Sequence, residues 1–222
     1  MEQLITVKGL NKVFSTPGGS FQVLKDIDFS LNKGEMTALM GPSGVGKSTL
    51  LHILGTLDRP SSGEVLYSGE NVFGLSSDEL SEFRNRTVGF VFQFHHLMPE
   101  FNAMENAMMP ALISGLSHEE ARGKAEHLLE AVGLSERLRH KPGQLSGGEQ
   151  QRVAVARALM LDPAVVLADE PTGNLDTQTG EDLLSLLLDL NKTGISFIIV
   201  THNDSLAGQC GRTVSMKDGR II

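Results

Sequence analysis

The chain has 222 residues, 40% apolar and 21% charged, which suits one α/β domain with its own core and excludes a disordered polypeptide. Its 19 basic and 27 acidic residues leave a net charge of −8, which argues against general nucleic-acid binding, since that needs concentrated positive charge. The single cysteine, Cys210, excludes an internal disulfide and reads as a small buried residue in a reducing cytoplasm.

Met1–Thr6 carries neither the basic stretch nor the apolar run of a secretory signal. No segment approaches the roughly 18 apolar residues that span a bilayer, so any link with a membrane is expected to come through a partner. Leu4–Val7 and Val23–Phe29 read as strands on either side of a turn at Pro17-Gly18-Gly19-Ser20. Glu35–Met40 is a further strand that runs into a glycine-rich loop, and a helix is expected from about Lys47, carrying Leu50, Leu51, Ile53 and Leu54. After Pro60–Gly63 the chain resumes as a strand at Glu64–Tyr67, and Val88–Phe92 is another, ending at Gln93. From Ala103 to about Arg139 helix formers dominate, and Ser117-His118-Glu119-Glu120 has the form of a capping box. Helical pattern returns at Glu149–Leu161. A strand at Val165–Ala168, a helix at Thr177–Leu190, a strand at Ser196–Val200 and a short strand at Thr213–Met216 complete the chain. The leucines at 183, 184, 186, 187, 188 and 190 are assigned to the core. The expected organisation is one domain over residues 1–222. Its α/β core (1–92 and 163–222) opens with an antiparallel β subdomain and is interrupted by a helical subdomain (93–162).

Gly41-Pro42-Ser43-Gly44-Val45-Gly46-Lys47-Ser48-Thr49 has two glycines bracketing four residues, then Lys and Ser, between a strand and a helix. In such a loop the backbone amides wrap phosphate oxygens at a helix N-terminus. Lys47 is expected to bridge the β- and γ-phosphates, Ser48 to give a hydroxyl to Mg²⁺, and Thr49 to help at the α-phosphate. Val165–Ala168 delivers Asp169 and Glu170 to the C-terminal edge of a buried sheet, where ligands bind in these folds. Asp169 is expected to hold Mg²⁺, and Glu170 to orient and deprotonate the attacking water. His202, after Ser196–Val200, reaches the γ-phosphate from the same edge. Gln93, at a third strand end, serves Mg²⁺ or the water through its amide oxygen. A second glycine loop, Leu145-Ser146-Gly147-Gly148-Glu149-Gln150, opens a helix about a hundred residues later.

In the order of these motifs, across nearly its whole length, the chain resembles the nucleotide-binding subunits of ATP-binding cassette (ABC) transporters. The resemblance implies a P-loop NTPase core that hydrolyses ATP with Mg²⁺. It also implies a head-to-tail dimer with two ATP molecules at the interface, each held by one copy's phosphate loop and the other copy's Ser146, Gly147 and Gly148. Asp176, in Asn174-Leu175-Asp176, lies where the family passes information between the sites. Phe14, in Lys12-Val13-Phe14, lies where the family stacks an aromatic on adenine; an ordinary core aromatic is the competing reading. Glu149 departs from the glutamine that many members carry. Gln93-Phe94-His95-His96-Leu97-Met98-Pro99-Glu100-Phe101 corresponds to the segment that lines the groove for a membrane permease subunit. It is similar to the ATPases of bacterial lipoprotein-releasing systems, which implies a peripheral place on the cytoplasmic side of the inner membrane.

Other readings remain open. Macrolide-exporter and cell-division relatives share the long motifs, and the cell-division type regulates rather than transports. A DNA-repair ABC ATPase would insert long coiled coils between the motifs, and a translation-type one would carry two cassettes. A small-molecule kinase has no use for the Ser-Gly-Gly loop. His95-His96 lacks a third ligand, so an exposed loop is the better reading than a metal site. Met98, Met104, Met108 and Met109 fit either an adaptable partner surface or helical-subdomain core.

Overall fold

The computed structural model describes residues 2–222; Met1, where the expected domain begins, lies outside the described residues. β1 (Gln3–Thr16) and β2 (Gly19–Asn32) form a long antiparallel hairpin, followed by β3 (Met36–Met40) and the helix α1 (Lys47–Leu54). β4 (Ser62–Tyr67) and β5 (Glu70–Asn71) complete a four-stranded antiparallel sheet ordered β2-β1-β4-β5. Next come α2 (Ser77–Thr87) and β6 (Val88–Phe92), then three successive helices: α3 (Ala103–Ile113), α4 (His118–Ala131) and α5 (Gly147–Ala158). The chain finishes with β7 (Val165–Asp169), α6 (Thr177–Lys192), β8 (Ser196–Val200), α7 (Asp204–Gln209), β9 (Arg212–Lys217) and β10 (Arg220–Ile221).

The second sheet has the order β10-β9-β3-β8-β7-β6 and is parallel except for β10. Its central strands β3, β8 and β7, with β6 beside them, read as apolar runs because both faces are covered, whereas β9 alternates buried and exposed residues. Along β7, Val165 and Leu167 enter the core shared with α1 and the antiparallel sheet, while Val166 and Ala168 enter the core shared with α3–α6. On β8, Ile198 and Val200 face the first core, and Phe197 and Ile199 the second. One-residue alternation across a fully buried strand thus joins the α/β core to the inserted helices.

Several boundaries differ from the sequence reading. Glu35 lies outside β3, and α5 starts at Gly147 and ends at Ala158, with Leu159–Leu161 in a turn. α2 and α7 carried no apolar periodicity long enough to announce them; only Leu80 is buried on α2. Ser117 and Glu120 form the expected capping box. Leu183, Leu184 and Leu187 are buried, with Leu186, Leu188 and Leu190 half-buried against the same core. Met108 is buried and Met104 packs beside it, whereas Met98 is exposed. Cys210 corrects an expectation: it is only half-buried, at the end of a six-residue helix too short to cover it, and burial pushes its thiol up to about 11. Among the described residues no helix is long and apolar enough to cross a membrane.

Candidate functional site

β3 ends at Met40 and α1 starts at Lys47, so residues 41–46 must reverse the chain within six positions. Gly46 caps α1 at φ +103, and a Cβ there would lie 2.8 Å from Cδ2 of Leu24. Only glycine combines that backbone with so close an approach. The Lys47 side chain is buried and folded into the loop, its Nζ donating to the carbonyls of Gly41 at 2.7 Å and Pro42 at 3.0 Å. A cavity of about 710 Å³ is lined by Gly41, Ser43, Gly44, Gly46, Lys47, Ser48 and Thr49. Pro42 and Val45 belong to the loop but do not line the cavity; Val45 packs on the apolar core.

The same cavity receives the strand ends. Phe92, Asp169 and Val200 are direct register partners across β6, β7 and β8, so the residues that follow them emerge side by side. Gln93, Asp169, Glu170 and His202 therefore all line it, with Phe14 and Phe21 also on its wall. Burial raises the pKa of Asp169, opposed by a hydrogen bond from Ser48 and by the nearby His52 and Lys47, with Glu170 raising it further. Glu170 sits at φ +47, in the left-handed region that strains a non-glycine residue, and its amide is held by the Val200 carbonyl at 2.9 Å. Its Oε1 lies 2.9 Å from Nδ1 of the exposed His202. Gln93 and Asn174 bond reciprocally: Nε2 of Gln93 donates to Oδ1 of Asn174, and Nδ2 of Asn174 to the Gln93 carbonyl, both at 3.1 Å. Phe14 is half-buried at the cavity wall rather than inside the core.

Ser146, Gly147 and Gly148 do not line this cavity. They open α5, where Ser146 Oγ accepts from the Glu149 amide at 3.2 Å and Glu149 Oε2 accepts from the Ser146 amide at 2.8 Å. The Ser146 side chain and the first amides of α5 thus stand together at a helix N-terminus, where the backbone field favours an anion. Glu149 thus closes a capping box and also accepts from Arg137 Nε at 2.8 Å. The Ser146 amide and Arg137 together hold its carboxyl below the usual range. A Cβ on Gly148 would run into Cγ2 of Thr179 on α6. Thr179 in turn donates to Asp176 Oδ2 at 2.6 Å, where Asp176 caps α6. Asp176 lines a second cavity, of about 570 Å³, that shares Glu170 and His202 with the first.

Two positioning residues carried no local signal in the sequence. Gln151 on α5 is fully buried, its Nε2 donating to the carbonyls of Phe92 at 3.1 Å and Pro171 at 2.8 Å. Arg157, farther along α5, donates 2.8 Å bonds to the carbonyls of both His95 and His96. His96 sits at φ +48, with its ring edge-on to Phe92 at 5.3 Å. Burial lowers the pKa of His95, partly offset by a hydrogen bond to the Gly147 backbone. Phe94 projects outward, 66% exposed. Beside this segment runs a groove of about 500 Å³ whose walls include Leu57, Phe90, Phe92, His96, Ile113 and Arg157.

The model of the ABC transporter family matches residues 24–173, more than half of the chain. The chain belongs to the ABC transporter family. It is an ABC-type ATP-binding subunit with the P-loop NTPase fold. It is 54% identical to the lipoprotein-releasing system ATP-binding protein LolD of Syntrophus aciditrophicus over 220 residues, covering 99% of each chain. It is also 54% identical to the LolD protein of Geobacter metallireducens, covering 100% of this chain and 99% of that one. Among solved ABC structures, the dimeric bacterial ABC transporter cassette MJ0796 superposes with a TM-score of 0.90 at 40% identity, covering 98% of this chain and 96% of that one. The post-hydrolysis dimer of that cassette, bound to ADP and Pi, matches equally well at 39% identity.

Proposed function

We propose that this ABC subunit hydrolyses ATP in a head-to-tail dimer and thereby drives a membrane permease that releases lipoproteins from the bacterial inner membrane. The observation that carries the dimer reading is the separation of two halves of one site. The phosphate loop and acidic strand ends line one cavity, whereas Ser146, Gly147 and Gly148 present a capped helix start outside it. A second copy brings that helix start to the γ-phosphate, which supports ATP as the ligand that stabilises the closed dimer.

Within one copy, the amides of residues 41–49 cradle the phosphates, Lys47 neutralises the β- and γ-phosphates, and Phe14 offers aromatic surface to the adenine. The donor set at Ser48, Asp169 and Gln93 offers oxygens, and all three residues line the same cavity. A hard cation such as Mg²⁺ fits it. Bound there, Mg²⁺ supplies positive charge that offsets the charge developing on the phosphates. Glu170, oriented by His202 and the Val200 carbonyl, accepts the proton of the attacking water. His202 also contacts the γ-phosphate, and Gln93 reports nucleotide state to a helical subdomain at 93–162. Asp176 links that report to the other site.

Phe94–Phe101 and the adjoining groove form the permease-facing surface, and the kinship with the LolD proteins supports lipoprotein release as the work done. The protein then acts peripherally, on the cytoplasmic side of the inner membrane. Co-purification from native membranes tests this. Recovery with permease subunits whose loss traps lipoproteins at the inner membrane supports it; recovery with a macrolide-exporter or cell-division partner contradicts it.

A further inference from the structure

The nucleotide cavity has a second aromatic on its wall. Phe14 and Phe21 are direct register partners across the β1–β2 hairpin, and their rings stack with centroids 5.7 Å apart and planes 29° from parallel. Both line the cavity that contains the phosphate loop. The Phe14 ring has another neighbour, the Lys12 ammonium, 4.7 Å from its centroid. That ammonium is fixed from elsewhere, bonded to Asp58 at 2.6 Å and to the Arg59 carbonyl at 2.8 Å. Phe14 is therefore engaged by Lys12 and Phe21, while Phe21 itself is 53% exposed.

A lone exposed phenylalanine needs no explanation. This one stands on the wall of a nucleotide-sized cavity, backed by a ring that an ion-paired lysine holds in place. Such an open π surface is what a nucleobase stacks on. We propose that Phe21 is a base-binding residue, its open face buttressed by Phe14 and receiving the purine of the bound nucleoside triphosphate. The aromatic surface ascribed to Phe14 thus extends to Phe21, and the inference rests on the ATP-site reading above.

Two variants test it, with inorganic tripolyphosphate and Mg²⁺ as a probe that has phosphates and no base. Phe21→Ala raises the Kd for ATP roughly tenfold, the loss of about one stacking contact, and leaves tripolyphosphate affinity within twofold. Phe21→Trp introduces the sole tryptophan, since the chain has none. Its emission is quenched by ATP and ADP but not by tripolyphosphate. An ATP Kd within twofold of the parent in Phe21→Ala, or a tryptophan indifferent to ATP that demonstrably binds, overturns the assignment. Failure of the parent chain to bind either ATP or tripolyphosphate overturns the nucleotide-site reading instead, so the two failures are distinguishable.

Discussion

The side chain of Gln151 donates to the carbonyl of Pro171 at 2.8 Å, the residue directly after Glu170, and the same amide reaches Phe92, directly before Gln93. One buried side chain of α5 thus grips the backbone next to both Glu170 and Gln93. Its Oε1 is buried without a partner, the single such side-chain atom among the described residues. Keeping that cost is reasonable only if the two donated bonds are worth more.

Gln151→Leu leaves two carbonyls without their donor and should destabilise the fold by about 2 kcal/mol in denaturant unfolding. It should lower kcat for ATP hydrolysis more than it weakens ATP binding, because the phosphate loop is untouched. An unchanged kcat would show that the grip is purely structural.

Gly148 and Thr179 make a second testable contact. Gly148→Ala drives a Cβ into Cγ2 of Thr179, an overpacking that should cost about 1–3 kcal/mol. Thr179→Ser removes that methyl and keeps the hydroxyl that bonds Asp176. The double variant should recover most of the loss, which a double-mutant cycle on unfolding free energies would measure. Additive losses would contradict the contact.

Arg157 holds the carbonyls of His95 and His96, in the segment proposed to face a permease, a two-pronged geometry lysine does not reproduce. Arg157→Lys and Phe94→Ala should each leave basal ATPase within about twofold. Both should lower permease-stimulated turnover and permease affinity about tenfold, as for loss of an interface anchor. Equal loss of ATP affinity would assign the segment to the nucleotide site.

Glu149 has a definite pH signature. The Ser146 amide and Arg137 hold its folded pKa below the unfolded value of 4.5. Its contribution to stability is therefore present above pH 4.5 and is lost as pH falls through the lower, folded value. Glu149→Gln keeps the capping geometry and removes the charge. Its Tm should lie about 1–2 °C below the parent at neutral pH, with the gap closing under acid conditions. A gap that persists at low pH would assign the effect to packing.

The phosphate loop, the acidic strand end and His202 were legible because each is a short motif at the end of an apolar run. The register of β6, β7 and β8 then does the rest, since aligned strand ends place Gln93, Glu170 and His202 on one edge. Gln151, Arg157 and Phe21 were not legible. Gln151 meets Pro171 across 20 positions and Arg157 meets His95 across 62, and no local pattern encodes such contacts. The helix α2 did leave a trace, the Ser76–Glu79 capping box, but its face carries too few apolar residues for periodicity to stand out. Glu149 stands out in the sequence only as a departure from glutamine; its ion pair with Arg137 spans 12 positions and leaves no local pattern.

In the proposed dimer, the N-terminus of α5 from one copy completes the other copy's ATP site. Light scattering on Glu170→Gln with and without Mg-ATP measures this most directly, alongside a Glu170→Gln, Ser146→Arg double variant. ATP should convert Glu170→Gln from monomer to dimer. The double variant should bind ATP with unchanged affinity yet remain monomeric, because the arginine blocks only the partner's phosphate. A Glu170→Gln protein that stays monomeric with ATP bound, or a double variant that dimerises equally well, would contradict it.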